Sequence, residues 1–124
     1  MRIATGSDAA TLLAPLFAAS SEERVAVLHL DSKQEVLALT LEHRGTDEEV
    51  ELPVRAILSH ALRLGSQAII VAHNHPSGDP SPSKEDLAGT RRLAEAAAPL
   101  GIRLFDHLIF AGGDCRSFRA LGLL

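Results

Sequence analysis

The sequence predicts an α/β (α+β) fold in which a single mixed β-sheet is flanked by helices. Apolar runs that are typical of strands alternate along the chain with segments of helical periodicity, which favours one sheet with packed helices. No internal repeat, low-complexity tract or linker divides the 124 residues, and this length is common for one domain with one core. We therefore expect residues 1–124 to form a single domain.

The first third of the chain predicts a helix and a β-hairpin. Ser7 or Asp8 can cap a helix that runs to about Ala19, because apolar residues recur there at helical spacing. Arg24–Asp31 is typical of a buried strand, and Glu35–Gly45 is a second strand. The turn-forming residues between the two strands join them as a hairpin.

The middle of the chain predicts an acidic loop, a helix and a central strand. Thr46–Glu51 is rich in acidic residues and is typical of an exposed loop. Pro53 suits the first turn of a helix over Leu52–Leu64, and Gly65 suits its end. Gln67–Ala72 is a short apolar run of the kind found in strands that are buried on both faces.

The last third predicts a helix, a strand and a short final element. Ser83 begins a helix that lasts to about Ala98 and is stopped by Pro99. Gly101–Gly113 predicts another strand with its turn, and Cys115–Leu124 predicts a short final strand or helix.

Charge and composition argue against several classes of function. The net charge is −4, no basic stripe occurs, and aromatic residues make up only 3%, so we expect no strong independent nucleic-acid binding. Cys115 is the only cysteine, which excludes an intrachain disulfide and a cysteine zinc cage. The chain starts without a signal pattern and has no apolar run of about 18 residues, so we expect a cytoplasmic protein outside the membrane.

The stretch AHNHPSGDPSPSKED carries the residues that indicate chemistry. His73 and His75 directly follow the predicted central strand, and residues two apart in extended chain point to the same side. If Ser83 is the N-cap of the next helix, Asp86 is the third helical residue and leans back towards the histidines. Two histidines and one carboxylate are a ligand set typical of catalytic zinc, which keeps its fourth position for water.

A purely structural interpretation of the same stretch is capping of the next helix. Ser83 and Asp86 have the spacing of a capping arrangement. A capping box prefers Glu or Gln at the third position, however, and we expect Asp86 to be short for that reach. We therefore favour metal binding. Other metal motifs fit less well, because there is no H-E-x-x-H and one cysteine cannot supply the deaminase pattern.

The pattern H-N-H-P-S-G-D-P-x-P-S-x-x-D resembles the signature of RadC-like proteins, which belong to the JAMM (MPN/JAB-type) metalloprotease superfamily. The general JAMM pattern, H-x-H then seven residues then S-x-x-D, is matched by His73, His75, Ser83 and Asp86. Further RadC-like stretches are RGT, DHLI and GLL, so the resemblance covers about Glu22 to Leu124. It implies a JAMM/MPN-like (cytidine-deaminase-like) architecture and a stand-alone domain, since longer members carry an additional N-terminal helical region.

The resemblance also implies roles for individual residues. His73, His75 and Asp86 would hold Zn(2+), and Ser83 would support the oxyanion of the tetrahedral intermediate. A glutamate just before the first strand of the hairpin would act as general base and acid. By position this glutamate is similar to Glu23, with Glu22 as the rival, because strand phase does not separate the two.

The expected function is hydrolysis of peptide or isopeptide bonds by a metal-bound hydroxide, with a peptide or protein as substrate. An alternative is a non-catalytic accessory protein associated with the DNA-repair machinery, or a metal-stabilised binding module without turnover. The sequence indicates no oligomeric state. Asp106, within an apolar strand, is expected to make a structural hydrogen bond. His107 has no assigned role, and Cys115 is expected to be a passive turn residue.

Overall fold

Among the residues that the structure describes, the centre of the fold is one mixed sheet of five strands in the order β2–β1–β3–β4–β5. The computed structural model describes residues 1–18, 22–42 and 52–124. β1 is antiparallel to both β2 and β3, β3 is parallel to β4, and β4 is antiparallel to β5. The predicted fold class is therefore confirmed. The strands are β1 Val25–Leu30, β2 Val36–Glu42, β3 Ala68–Asn74, β4 Arg103–Ala111 and β5 Asp114–Ser117.

In the described part of the chain, three α-helices cover the two faces of the sheet: α1 Gly6–Phe17, α2 Val54–Leu64 and α3 Lys84–Ala97. A short 3-10 helix, Ala98–Leu100, follows α3. The apolar side of α1 packs against one face of β1, β3 and β4, while α2 and α3 pack against the other face. Successive residues of a strand point to opposite faces, so β1 and β3, which are covered on both sides, consist almost entirely of buried residues.

The element boundaries correct the sequence-based expectations at several points. The N-cap of α1 is Thr5, not Ser7 or Asp8, because Asp8 serves instead as the third residue of a capping box. Pro53 is the N-cap of α2 rather than a residue of its first turn. Gly65 ends α2 in a left-handed conformation with φ of 70°, as expected of a C-terminal glycine.

Other expectations concern residues outside the described ranges, or an element that is longer than expected. The predicted helix end near Ala19, the last three residues of the predicted second strand and the acidic loop of 46–51 lie outside the described residues. The central strand continues two residues beyond the predicted Ala72, to Asn74. In the described part of the chain, no helix is long and apolar enough to span a membrane.

The topology brings three elements together at one edge of the sheet. The last residues of β3 lie beside the first residue of β1, since Val25 pairs with His73. The loop after β3 leads into the N-terminus of α3, which packs on the same side as His73. The backbone of Arg24 and the side chain of Asn74, 50 residues apart in sequence, therefore meet at this edge.

Candidate metal centre

Three side chains converge at the end of β3 and the start of α3. The Nε2 atoms of His73 and His75 lie 3.0 Å apart. Oδ1 of Asp86 is 3.1 Å from Nε2 of His73, and Oδ2 is 3.0 Å from Nε2 of His75. These separations are close to the roughly 3.3 Å between two ligand atoms that each lie about 2.0–2.1 Å from one tetrahedral zinc ion.

Local helix capping aims Asp86 at the histidines. The Ser83 hydroxyl accepts a hydrogen bond from the Asp86 N–H at 3.0 Å, and Oδ2 of Asp86 accepts one from the Ser83 N–H at 2.9 Å. The expectation that Asp86 would be too short for a capping box is therefore wrong, because the reciprocal bonds form. The Asp86 carboxylate therefore caps the helix and contacts the two histidines at the same time.

The loop after β3 orients the ring of His75. The His75 N–H donates to the Phe110 carbonyl at 2.9 Å, and the Gly78 N–H donates to the His75 carbonyl at 3.1 Å. Nδ1 of His75 lies 2.8 Å from the Asp79 carbonyl oxygen, which can only accept. We therefore assign the ring proton to Nδ1, which leaves a lone pair on Nε2 towards the cluster.

A third histidine, His107 of β4, contacts the ring of His73 on the side that faces away from His75 and Asp86. Nδ1 of His73 is 2.7 Å from Nε2 of His107, and Nδ1 of His107 is 2.6 Å from the hydroxyl of Thr90. His107 is fully buried, and this burial holds its pKa well below the usual value, so the ring is neutral. If Nδ1 of this neutral ring donates to the Thr90 hydroxyl, its Nε2 accepts the Nδ1–H of His73, and the lone pair of His73 lies on Nε2 towards the cluster.

The sequence assigned His107 and Thr90 no role in the site. The contact joins residues 34 apart, and it depends on the register between β3 and β4, which pairs Val71 with His107. One feature of the sequence could have indicated this contact: His107 lies in a largely apolar strand, and a buried histidine needs a polar partner.

Asp106, the neighbour of His107, faces the other side of the sheet. Its carboxylate accepts hydrogen bonds from the Ser117 hydroxyl at 2.6 Å and from the Arg119 N–H at 3.0 Å. It also lies against Gly6, where an added Cβ would be 2.5 Å from Oδ2. The expected structural hydrogen bond is present. Asp106 therefore holds the C-terminal turn by hydrogen bonds and lies against the start of α1.

Glu23 brings a second carboxylate to the two histidines. One oxygen of Glu23 and one ring nitrogen each of His73 and His75 lie within 4.8 Å of one another, which is a group able to hold a metal ion. Glu22, although described, is not in this group. Asp86 contacts the two rings at 3.0–3.1 Å, and Glu23 is an exposed residue at the rim of the same cluster.

The charge distribution suits a cation. Burial opposes ionisation of Asp86, but the contact with His73 and the Ser83 N–H outweigh it and hold the pKa of Asp86 far below its usual range. Asp86 is therefore a carboxylate at neutral pH. Asp86 supplies one anion, His75 one Nε2 lone pair, and His73 a second lone pair when its proton lies on Nδ1, so the donor set fits a divalent metal such as zinc.

A family model described as RadC-like JAB domain matches residues 3–123. The chain belongs to this family. The resemblance found in the sequence is thereby confirmed, and the possible metal-binding group of Glu23, His73 and His75 fits a JAB-family metal site.

The relatives of this chain are named UPF0758 proteins. One from Rhodobacter capsulatus is 45% identical over 102 residues, 82% of this chain and 48% of the relative. One from Symbiobacterium thermophilum is 42% identical over 112 residues, 90% of this chain and 48% of the relative. One from Chloroflexus aurantiacus is 39% identical over 121 residues, 98% of this chain and 53% of the relative. The chain thus spans about half the length of the curated relatives it matches.

A cavity of about 560 Å³ adjoins His75 in this JAB domain. Its lining includes the stacked rings of Phe17 and Phe110, whose centroids are 4.9 Å apart, and the turn at Gly112. Cys115 also lines it, and burial raises the pKa of this thiol to about 11, so the thiolate is not formed at neutral pH.

Proposed function

We propose that this chain is a zinc-dependent hydrolase of peptide or isopeptide bonds. The observation that carries the proposal is the convergence of His73, His75 and Asp86 within 3.0–3.1 Å of one another, with the Glu23 carboxylate within reach of the same two rings. The kind of bond comes from the JAMM-type family, whereas the residues themselves support metal-assisted hydrolysis.

His73, His75 and Asp86 would hold the ion. Two imidazoles and one carboxylate are the three protein ligands of many catalytic zinc sites, whereas structural zinc sites are closed by four protein ligands. When bound here, zinc would activate a water molecule at neutral pH and polarise the substrate carbonyl. In the metal-binding tautomers, His107 and the Asp79 carbonyl would accept the outward ring protons and leave both histidine lone pairs directed to the centre.

Glu23 would move the proton. Its carboxylate lies next to the histidine cluster, where it can accept the proton of the attacking water and return it to the leaving amine. An amine leaving group needs this proton because its anion is a very poor leaving group. Three ligands are enough to hold a catalytic zinc ion, so a further carboxylate beside them suits proton transfer, whereas its use as a fourth ligand would suit a metal-stabilised binding module.

Ser83 would stabilise the oxyanion. Its oxygen accepts the Asp86 N–H, and this bond uses a lone pair and not the hydroxyl hydrogen. The hydrogen can therefore be donated to the oxygen that gains negative charge in the transition state. The cavity beside His75 gives room for the residues of a peptide next to the cleaved bond.

The test compares two neighbouring glutamates in zinc-loaded protein. Hydrolysis of a library of fluorogenic peptides and isopeptide-linked conjugates is measured for the wild type, Glu23→Gln and Glu22→Gln. We expect Glu23→Gln to keep its zinc and lose about 10²–10⁴-fold in rate, the usual contribution of a general base. Glu22→Gln is the matched control and should keep its activity.

Two outcomes would contradict the assignment. If Glu22→Gln loses activity and Glu23→Gln retains it, the wrong carboxylate has been chosen. If the zinc-loaded wild type cleaves no member of either library, peptidase activity is rejected for this chain, and a binding module is the better description.

A further inference from the structure

Asn74, the residue between the two histidines, makes its side-chain hydrogen bonds to the segment that carries Glu23. The Asn74 carbonyl Oδ1 accepts from the Arg24 N–H at 2.6 Å, and its Nδ2 donates to the Glu22 carbonyl at 2.9 Å. Asn74 is only 5% exposed. Both bonds reach across about 50 positions of sequence to the two residues that flank Glu23.

The position of Asn74 explains why an amide is needed. The ladder between β1 and β3 ends at the pair Val25 and His73. A side-chain amide offers a carbonyl acceptor and an NH2 donor group side by side, so it can take the place of the C=O and N–H of the backbone. Asn74 therefore replaces the next backbone pair and continues the pairing to Glu22 and Arg24.

The consequence concerns Glu23, which is exposed and precedes the first strand. Because its neighbours on both sides are held by one buried side chain, the backbone at Glu23 has little freedom to move away from the histidines. The same β3 strand thus presents His73 to the metal cluster and uses Asn74 to hold the segment of the second carboxylate.

We infer that Asn74 is a positioning residue that holds the Glu23 carboxylate at the metal centre. Aspartate at this position would keep the acceptor for Arg24 and lose the donor for Glu22, and alanine would lose both. The inference rests on the proposed function for its effect on catalysis, whereas the position of Glu23 can be measured without any substrate.

The first experiment measures that position directly. Full-length wild type, Asn74→Ala and Asn74→Asp are labelled with ¹³C-glutamate and loaded with Co²⁺ alone, and paramagnetic broadening of the Glu23 carboxyl signal is recorded against the zinc-loaded protein. We expect strong broadening in the wild type, partial loss in Asn74→Asp and loss in Asn74→Ala, with metal content unchanged. In the metal-free protein, amide exchange of Arg24 should accelerate in Asn74→Ala and stay slow in Asn74→Asp.

Ser117→Ala is the matched control, because it also removes a partly buried side-chain hydrogen bond but acts on Asp106, on the opposite face of the sheet. It should leave the Glu23 signal as in the wild type. Unchanged broadening in Asn74→Ala, or equal loss of broadening in Ser117→Ala, would overturn the inference. If Asn74→Ala does not fold, the Asn74→Asp result decides alone, and wild-type broadening there overturns the inference.

The second experiment is a double-mutant cycle on hydrolysis. We expect Asn74→Ala to lower kcat by about 10²-fold, as misplacement of a catalytic group does, and to leave KM unchanged. In a Glu23→Gln background the same substitution should cost nothing further, because Asn74 acts through Glu23. An equal loss in both backgrounds would overturn the inference. Absence of wild-type hydrolysis would reject the proposed function, while the Co²⁺ measurement still decides the role of Asn74.

Discussion

Two clusters of histidine and carboxylate side chains differ in whether each hydrogen-bond donor faces an acceptor. The closed cluster, between β1, β2 and α2, comprises Ser66, His29, Thr40, Glu42 and His60. The open cluster, at the end of β3 beside α3, comprises His73, His75, His107, Asp86 and Glu23. Both contain more than one histidine and at least one carboxylate, so composition alone does not tell them apart.

In the closed cluster every contact joins a donor to an acceptor. The Thr40 hydroxyl donates to Glu42 at 3.0 Å, so its oxygen accepts from Nε2 of His29 at 2.9 Å. Nδ1 of His29 then accepts from the Ser66 hydroxyl at 2.9 Å. Burial lowers the pKa of His29, so the neutral ring that this series of hydrogen bonds requires is the stable form.

In the open cluster the pattern depends on the tautomer of His73, whose Nε2 donates to Asp86 in one tautomer and carries a lone pair in the other. With the ring protons of His73 and His75 directed outwards to His107 and Asp79, two lone pairs and the Asp86 carboxylate would face one another at 3.0–3.1 Å. These groups would repel one another unless a cation lay between them. The direction of the ring protons, rather than the choice of residues, would therefore distinguish a metal centre from a structural network.

The largest effect is expected from removing a ligand of the open cluster. His73→Ala and Asp86→Ala should reduce the zinc content from about one per chain to none, because two remaining ligands hold zinc weakly. They should also lose the metal-dependent stabilisation, about 4 kcal/mol at a free zinc concentration 1,000 times Kd. The checks are metal analysis and thermal unfolding with and without zinc. His60→Gln, in the closed cluster, is the control and should keep its zinc; loss of zinc there would remove the distinction between the clusters.

The next effect is expected from His107, which contacts His73 from behind. His107→Phe should keep the stacking on Phe118 and lose the acceptor for Nδ1 of His73, and such losses reduce metal affinity about 10–100-fold. Competition with a chromogenic zinc chelator measures the change. His29→Gln should leave the affinity unchanged. An unchanged affinity in His107→Phe would show that the contact does not orient the ligand.

A smaller effect is expected from acid on the closed cluster. The folded protein holds the pKa of His29 below the usual 6.5, so the unfolded chain takes up the proton first, and the free energy of unfolding falls as pH drops below about 6.5. One such group contributes up to about 1.4 kcal/mol per pH unit. Urea unfolding of the metal-free protein at pH 7 and 5.5 should show a weaker pH dependence in His29→Gln. An equal pH dependence in this variant would assign the effect to other groups, such as His107, whose pKa is lowered in the same direction.

The smallest effect is expected from two equivalent helix caps. Thr5 and Ser83 each form a capping box with an aspartate, Asp8 and Asp86 respectively, so replacing either cap with alanine should lower the free energy of unfolding by about 1 kcal/mol. Only Ser83→Ala should also weaken zinc binding, because it loosens the orientation of Asp86. Titration of both variants with zinc measures this difference, and equal affinities would separate capping from metal binding.

The sequence by itself determined the features that depend on near neighbours. Alternation and helical spacing predicted the strands and helices of the described residues, and the fixed spacing of His73, His75, Ser83 and Asp86 predicted that these side chains would meet. Their geometry follows from one strand end, one loop and one helix start, all within 14 consecutive residues. Gly65 was predicted to end α2 for the same reason, because the left-handed end of a helix favours glycine.

Only the tertiary structure decided the features that depend on strand register. The proximity of Glu23 rather than Glu22, the contact of His107 with His73, and the hold of Asn74 on residues 22–24 all join distant parts of the chain. A one-residue change of register moves every side chain of a strand to the opposite face, so no local pattern can predict which partner is met. Ligands that are close in sequence could therefore be predicted from the sequence, whereas the residues that support them were decided by the packing of the sheet.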